Sequence, residues 1–284
     1  ENLRVEYVAY PPNYIKSYSN VGYSLLGAMI EQVTQMDYEY ILNDRIFKPL
    51  GMRNSGFYPG TLEQRNTEAF NQQLEAQRLF PIRDIPAMGL YSSANDLARF
   101  VSLFTDRNNP VNLGVIDNVS VEEMFDHQNS DVLLDFDQRM GIPWLLDQCG
   151  ITDAGKIAQH GGTTMFYSSQ IMVSNEYDLG VVVLSNTAGT RKAVEQMAEW
   201  LLANAIALKR KKFQLPLVWQ THIPPRVGDQ NQPDKLGEYL TDVGLVSIDL
   251  VQKELCQCDR KKVVDLVPLP SGWFQMETKS SKGQ

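Results

Sequence analysis

Apolar residues recur every three or four positions in several stretches of the chain, the spacing that places them on one face of an α-helix. The first such stretch follows Asn20 and has the apolar positions Val21, Leu25, Met29 and Val33. A second helix is expected over residues 38–47, with Asp37 as its N-cap and a stop near Pro49-Leu50-Gly51. The pattern therefore predicts two consecutive helices near the start of the chain.

Three further helices are predicted downstream. Ser93-Ala94-Asn95-Asp96 is a variant of the capping box, and it opens a helix whose inward residues are expected to be Leu97, Phe100, Val101 and Phe104. Residues 105–119, rich in Asn, Asp, Pro and Gly, are predicted to be a loop, followed by a short helix over residues 120–127. The longest helix spans residues 191–211, with an apolar face expected to comprise Val194, Met197, Ala198, Leu201, Leu202 and Ala205.

Between these helices the apolar pattern becomes that of β-strands. Four short strands are expected over residues 141–146, 156–159, 167–173 and 179–185, with residues 175–178 as a hairpin turn. The continuous apolar run from Gly180 to Leu184 predicts a central strand that is buried on both faces. Helices, then antiparallel strands, then a closing helix indicate an α+β domain with helices packed on a sheet.

The composition changes after residue 213. Pro216, Pro224, Pro225 and the stretch 228–233 are typical of a linker, and short strands alternating apolar and polar residues follow it. We therefore predict a main domain over residues 1–213, a linker over 214–235, and the beginning of a small β-rich module over 236–284.

Composition and charge narrow the classes of function. The net charge of −8 argues against nucleic acid or an anionic membrane surface as the main partner, since both bind basic faces. No apolar stretch approaches the roughly 20 residues of a membrane span. Three cysteines do not form a disulfide framework, and Cys256 and Cys258, without nearby histidines, are interpreted as strand residues rather than metal ligands. No metal or organic cofactor is implied.

Two short motifs carry the candidate chemistry, Tyr18-Ser19-Asn20 and His160-Gly161-Gly162. Taken alone, each has a simpler interpretation: Asn20 as the N-cap of a helix that follows an aromatic residue, and the histidine with its two glycines as a turn. They are accompanied by three other motifs. In chain order the five are Tyr18-Ser19-Asn20-Val21-Gly22-Tyr23-Ser24-Leu25-Leu26-Gly27, Pro49-Leu50-Gly51-Met52, Gly89-Leu90-Tyr91-Ser92-Ser93-Ala94-Asn95-Asp96-Leu97-Ala98-Arg99-Phe100, His160-Gly161-Gly162 and Val181-Val182-Val183-Leu184-Ser185-Asn186.

This ordered set, over roughly residues 10–205, resembles the penicillin-recognising serine hydrolases, in particular the class C β-lactamase-like branch with its D-aminopeptidases, DD-peptidases and esterases. The resemblance implies a β-lactamase/transpeptidase-like fold and a serine that forms an acyl-enzyme. Tyr18 then matches the tyrosine that moves the proton to and from the serine oxygen and the leaving group. Asn20 matches the residue whose amide donates to the substrate.

His160-Gly161-Gly162 matches the family's Lys-Thr-Gly motif on the edge strand that lines the cleft. Small residues are needed there because the substrate backbone lies against the strand. The backbone N–H of Thr163 would be one of two donors to the oxyanion, and the nucleophilic serine would supply the other. His160 in place of the lysine is typical of esterase and peptidase members, and it weakens the standing positive charge that would hold the carboxylate of a β-lactam.

The sequence departs from the family in two places. None of the 284 residues belongs to a Ser-x-x-Lys motif, which supplies the nucleophile and a lysine that stabilises the phenolate of the tyrosine. The glycine usually found shortly after the strand motif is replaced by bulk at Met165-Phe166-Tyr167, which would either narrow the cleft or reroute the strand. In the family the segment with the Ser-x-x-Lys motif is buried at the centre of the domain, and its removal would leave apolar sheet surface without a partner. We therefore expect the nucleophile segment to precede Glu1 and this chain alone to be inactive.

Two hypotheses follow. In the first, the full-length protein is a serine acyl-transfer hydrolase of esterase or D-amino-acid peptidase type, acting on a small ester, amide or peptide and hydrolysing esters faster than β-lactams. The resemblance further implies an extracytoplasmic location and leaves the oligomeric state open. In the second, the protein is a catalytically degenerate relative that keeps the cleft and binds a ligand without turnover.

Overall fold

A computed structural model describes residues 10–57, 67–79, 82–135, 138–147, 149–151 and 154–210, together with five strands between residues 237 and 277. Contacts divide the chain into two units, residues 1–218 and 219–284, and each unit is described by itself. Within the described residues, no helix has the length and apolar character needed to cross a membrane.

Helices form much of the first unit, as the apolar spacing predicts. They are α1 (Asn20–Thr34), α2 (Tyr38–Leu42), α3 (Lys48–Leu50), α4 (Ile85–Met88), α5 (Ala94–Thr105), α6 (Pro110–Leu113), α7 (Asn118–Met124) and α8 (Arg191–Lys209). A π-helical turn, Asn43–Phe47, joins α2 to α3, and Gly51 ends this segment with a φ of 68°. The prediction of a loop over residues 105–119 is wrong at α6, because Asn109 caps a helical turn there by accepting from the backbone N–H of Val111.

The strands of this unit are β1 (Gly56–Phe57), β2 (Ala69–Phe70), β3 (Ala76–Gln77), β4 (Leu90–Tyr91), β5 (Arg139–Met140), β6 (Leu145–Leu146), β7 (Ile157–Thr163), β8 (Ser168–Ser174) and β9 (Leu179–Ser185). The last five form one antiparallel sheet in the order β5-β6-β7-β8-β9. The predicted strand over residues 141–146 is wrong in its first half. The N–H of Gly141 donates to the carbonyl of Trp144 inside the connection between β5 and β6, so it is not available to a neighbouring strand.

The predicted central strand, β9, lies instead at the edge of the sheet as described. Its apolar run has partial cover on both faces, and its valines are half-buried rather than buried as predicted. Val182 packs against the core that contains α5, and Val181 and Val183 pack against the core that contains α8. A continuous apolar run therefore reports two covered faces and does not report how many strands are paired beside it.

The sheet separates two apolar cores. On one face, aromatic side chains from α5 and the chain beyond it meet, and Phe104 lies at 5.2 to 5.7 Å from the rings of Phe100, Phe125 and Trp144. On the other face, α8 packs on the strands through Ala198, Leu202 and Ile206, whereas Met197 and Leu201, predicted to lie on this face, are exposed in the described part of the chain. The buried stripe of α8 thus follows a spacing of four residues.

Helix α5 is built as predicted. The side chain of Ser93 caps it by accepting from the N–H of Asp96, Val101 and Phe104 are buried, and Leu97 and Phe100 are half-buried. Asp96 is fully buried, and its carboxylate accepts from the N–H of Asn54, the hydroxyl of Ser55 and the guanidinium of Arg99. This acid therefore ties the start of α5 to the segment before β1.

Helix α1 forms as predicted, but its apolar stripe does not face a core. Val21, Leu25, Met29 and Val33 are 55, 46, 54 and 83 % exposed. The only buried residue of α1 is Gly27, where a Cβ would overlap Pro86 of α4. In the described part of the chain, α1 is held mainly by its narrow, small-residue face.

The second unit contains a five-stranded antiparallel sheet with strands in sequence order: β10 (Gly237–Thr241), β11 (Gly244–Val251), β12 (Glu254–Asp259), β13 (Lys262–Pro268) and β14 (Phe274–Glu277). Cys256 and Cys258 lie in β12, in agreement with their interpretation as strand residues. The predicted linker over 214–235 lies outside the described residues.

Candidate active site

The Tyr18-Ser19-Asn20 motif forms the entry to α1. The hydroxyl of Ser19 accepts from the N–H of Gly22 at 3.0 Å, so Ser19 is the N-cap and Asn20 is the first helical residue. The interpretation of Asn20 as a cap is therefore wrong. Its amide nitrogen lies 3.5 Å from the sulfur of Met88 instead, and a weak contact of this kind leaves the amide able to donate to a ligand.

Tyr18 lies immediately before this cap and is 61 % exposed. Burial raises the pKa of Tyr23 in α1, and the charge of Tyr18 raises it to a lesser extent. The two phenols therefore lie close enough to interact electrostatically at the first turn of α1.

The His160-Gly161-Gly162 motif lies in β7, so its interpretation as a turn is wrong. All three residues and Thr163 pair with β8, from His160 opposite Ile171 to Thr163 opposite Ser168. On the other side, β6 pairs with β7 only as far as Gln159. The second half of β7 consequently has an open edge in the described structure.

Hydrogen bonds at the two ends of β7 show which way its backbone groups point. At its start, the carbonyl of Ile157 accepts from the N–H of Asp147 on the β6 side, at 2.8 Å. Just past its end, the N–H of Thr164 donates to the carbonyl of Tyr167 on the β8 side, at 2.9 Å. Because backbone groups alternate between the two edges of an antiparallel strand, the N–H groups of Gly161 and Thr163 point to the open edge.

Close packing across the strand pair explains the two glycines. A Cβ on Gly161 would lie 2.6 Å from the side-chain oxygen of Gln170, and one on Gly162 would lie 2.5 Å from the hydroxyl of Ser169. Larger residues at these positions would require both neighbours to move. The amide of Gln170 donates to the side chain of Gln159 at 2.8 Å, and this hydrogen bond opposes a shift of Gln170 away from Gly161.

The surroundings of His160 lower the pKa of its imidazole. Although the residue is exposed on one side, the protein around the ring lowers its pKa by desolvation, and the positive charge of Arg191 lowers it further. A hydrogen bond involving the backbone of Gly161 opposes these effects. Arg191, the first residue of α8, was not singled out in the sequence, and its guanidinium also pairs with Glu195 at 2.7 Å.

The large side chains of Met165-Phe166-Tyr167 do not change the course of β7, because β7 and β8 stay in register up to the turn between them. Met165 is 72 % exposed at the tip of this hairpin. Tyr167 turns away from it. Its hydroxyl donates to the carbonyl of Thr67 at 2.7 Å, and its ring packs edge-on against Tyr91 with centroids 5.9 Å apart.

These contacts connect the two motifs. Asn20 contacts Met88 at the end of α4, the chain continues from Met88 into β4, and Tyr91 of β4 contacts Tyr167 at the base of the hairpin that follows Thr163. Met88 was not singled out in the sequence, and Tyr91 and Tyr167 were named there only within larger motifs, without a role of their own. For Tyr91 a signal existed, since it lies inside one of the five motifs.

The comparisons with known proteins agree with this architecture. The sequence profile of the Beta-lactamase family matches residues 3–205. The chain belongs to this family. Among curated members it is 27% identical over 194 residues to the "Probable hydrolase M10" of a Phoma species, an alignment that covers 66% of this chain and 30% of that protein.

Solved structures of the same fold cover a larger share of the chain. The octameric penicillin-binding protein homologue from Pyrococcus abyssi superposes with a TM-score of 0.62 at 22% identity, covering 97% of this chain and 61% of that one. The structure of SurE with D-Leu gives a TM-score of 0.62 at 17% identity, covering 100% and 64%. The β-lactamase/transpeptidase-like α+β fold is thus confirmed. The chain spans about a third of the length of the curated relatives that it matches.

Proposed function

We propose that this chain is the larger part of the catalytic unit of a serine acyl-transfer hydrolase, of esterase or D-amino-acid peptidase type, whose nucleophile lies in a segment that precedes residue 1. The observation that carries the proposal is the open second half of β7. The N–H groups of Thr163 and Gly161 point to this open edge. The two glycines before Thr163 have no side chains that could obstruct a substrate there. A substrate backbone can lie along such an edge as an added strand.

In the proposed reaction, the serine oxygen attacks the carbonyl of the substrate, and Tyr18 takes the serine proton and delivers it to the leaving alcohol or amine. The N–H of Thr163 donates to the oxyanion, together with the N–H of the serine. Asn20 donates to the carbonyl or amide side of the substrate. Water then attacks the acyl-enzyme, the carboxylic acid leaves, and the proton returns to the serine.

The exposed stripe of α1 supports the proposal that a further segment belongs to this unit. A helix face with Val21, Leu25, Met29 and Val33 exposed at 46 to 83 % is unusual for a free surface. A segment carrying Ser-x-x-Lys would cover this stripe and bring its lysine toward Tyr18, the cation that the phenolate requires. The alignments cover only about a third of the curated relatives, which is consistent with a longer protein.

The identity of His160 favours esters and amides over β-lactams. A neutral imidazole does not hold the carboxylate of a β-lactam as a lysine ammonium would, and burial together with the charge of Arg191 lowers the pKa of His160. The solved structure of SurE contains D-Leu, which makes a D-amino-acid amide or peptide a suitable test compound alongside simple esters.

The test uses the full-length protein with p-nitrophenyl acetate, nitrocefin and a D-alanyl peptide. We expect a higher kcat/KM for the ester than for nitrocefin, and Tyr18→Phe should lower kcat by about 10²–10⁴-fold because general acid–base catalysis has that size. Tyr14→Phe is the matched control, since Tyr14 is a neighbouring exposed phenol without an assigned role.

Three results would contradict the proposal. A nitrocefin rate far above the ester rate would refute the assigned preference. A Tyr18→Phe variant as active as the Tyr14→Phe control would remove Tyr18 from the mechanism. A full gene without Ser-x-x-Lys upstream of Tyr18 would favour the degenerate, ligand-binding alternative instead.

A further inference from the structure

Residues 67–70 cross the end of the sheet at which the proposed site lies, and we name them the crossing segment. Three hydrogen bonds hold this segment on the end of β9. The side chain of Asn186 donates to the carbonyl of Glu68 at 2.8 Å, the N–H of Phe70 donates to the carbonyl of Asn186 at 2.9 Å, and the N–H of Ala188 donates to the carbonyl of Phe70 at 2.9 Å. Ala69 is buried to 1 % exposure, so the segment is seated firmly.

Tyr167 is the link between the crossing segment and the β7–β8 hairpin. Its hydroxyl donates to the carbonyl of Thr67, and its backbone closes the hairpin by accepting from the N–H of Thr164 and donating to that residue's hydroxyl at 3.2 Å. Its ring also contacts Tyr91, which lies in β4 beside the start of α5. One side chain therefore joins the hairpin to two separate parts of the fold.

The position of this link matters because Thr163 is held on one side only. Beyond Gln159 no described strand pairs with the outer edge of β7, so the hairpin is restrained by β8, by its own turn and by Tyr167. An oxyanion donor must lie about 2.7–3.1 Å from the oxyanion, and a displacement of about 1 Å can lower a rate by about 10²-fold. A hairpin free to tilt would therefore lose the alignment of the Thr163 N–H.

We propose that Tyr167 is a positioning residue for the acyl-transfer reaction. By holding the crossing segment and Tyr91, it fixes the hairpin so that the N–H of Thr163 stays aligned with the oxyanion. The inference rests on the proposed function, and it adds a residue whose side chain does not touch the substrate. The phenol is useful here because its ring packs and its hydroxyl reaches a backbone carbonyl at the same time.

The test compares Tyr167→Phe with wild type in the full-length protein, counting active sites by the burst of p-nitrophenol. The substitution removes one hydroxyl and keeps the ring, so the fold should be retained. We expect kcat per active site for p-nitrophenyl acetate to fall about tenfold with KM nearly unchanged, because the lost alignment affects the transition state more than the bound ester. Backbone amides of the crossing segment and of residues 163–168 should exchange faster in the same variant.

Tyr40→Phe is the matched control, because Tyr40 is an exposed phenol on α2, and it should leave both readouts unchanged. Tyr91→Leu removes the contact between the two rings and leaves the hydroxyl of Tyr167 in place. This substitution should also lower kcat. If kcat per active site of Tyr167→Phe equals that of wild type, the inference is overturned even where exchange is faster, since the contact would then be structural alone. A wild-type protein that releases no p-nitrophenol above the uncatalysed rate would overturn the proposed function itself.

Discussion

Helices α1 and α5 begin in the same way and end in different environments. Each starts with a serine whose hydroxyl accepts a backbone N–H, from Gly22 at 3.0 Å in α1 and from Asp96 at 3.2 Å in α5. Each then carries an apolar stripe with helical spacing. In α5 the stripe is buried, with Phe104 at 1 % exposure, whereas in α1 the stripe is exposed and Val33 reaches 83 %.

The two helices show which structural features an amphipathic sequence pattern determines. The pattern determines that a helix forms and which face is apolar, but the cover for that face comes from another part of the molecule. For α5 the described chain supplies it, through Phe125, Trp144 and β9. For α1 we propose that the segment carrying the nucleophile covers the apolar stripe. One segment would then supply both the missing cover of α1 and the missing nucleophile.

The largest effect is expected at the centre of the α5 core. Phe104→Ala removes a ring that contacts Phe100, Phe125 and Trp144, and it should lower the free energy of unfolding of the full-length protein by about 3–5 kcal/mol. Urea denaturation measures the change. Val119→Ala, at a residue 75 % exposed, is the control and should stay within about 0.5 kcal/mol of wild type. Equal costs for the two substitutions would mean that the core is misassigned.

The same type of substitution in α1 should depend on what surrounds the helix. Leu25→Ala should cost about 2–5 kcal/mol in the full-length protein, where the stripe is proposed to be covered, as for other buried leucines. In the chain of residues 1–284 the cost should be much smaller, because Leu25 is 46 % exposed there. Urea denaturation of both proteins measures the contrast, and a small cost in both would show that nothing covers the stripe.

A smaller effect is expected at the two caps. Ser93→Ala should lower the stability of the full-length protein by about 1 kcal/mol, and Ser93→Gly by only a few tenths, because glycine tolerates the cap conformation.

In the chain of residues 1–284, Ser19→Ala should speed amide exchange within α1 while leaving the unfolding transition unchanged, since α1 contributes little packing there. A shift of the whole transition by Ser19→Ala would show that α1 is already part of the core.

The smallest effect concerns His160. Its pKa should lie below the ordinary value of about 6.5, and Arg191→Gln should raise that pKa while Arg191→Lys should not, because the charge of Arg191 is one of the causes of the shift. Because the folded-state pKa is depressed, the unfolded state binds the proton first, so stability from this residue is lost as the pH falls below about 6.5. NMR titration of the imidazole in the full-length protein tests this. A pKa that ignores Arg191→Gln would contradict the assigned cause.

Local sequence was enough to predict most helices and strands, but it said little about which strands pair with each other. The caps, the apolar spacing and the hairpin turn before β9 depend on neighbouring residues, and α5, α8 and the β8–β9 hairpin were predicted for that reason. The interruption between β5 and β6 depends on residues beyond each strand's own apolar pattern. No local pattern contains that information, and the strand predicted over residues 141–146 was wrong in its first half for this reason.

In the candidate site, too, some residues could be predicted from local sequence and others could not. The motifs led to Tyr18, Asn20, His160 and Thr163, because each motif contains the residues that would touch a substrate. The contact between Tyr167 and Thr67 joins positions 100 residues apart and involves a backbone carbonyl, which carries no side-chain signal. Residues that position a site through the backbone are therefore found from the structure.

The central claim, that a preceding segment both covers α1 and supplies the nucleophile, is tested most directly by the p-nitrophenol burst from p-nitrophenyl acetate. We expect a burst equal to the concentration of active sites for the full-length protein and none for the chain of residues 1–284. A stoichiometric burst from residues 1–284 alone would contradict it, since the nucleophile would then lie within this sequence.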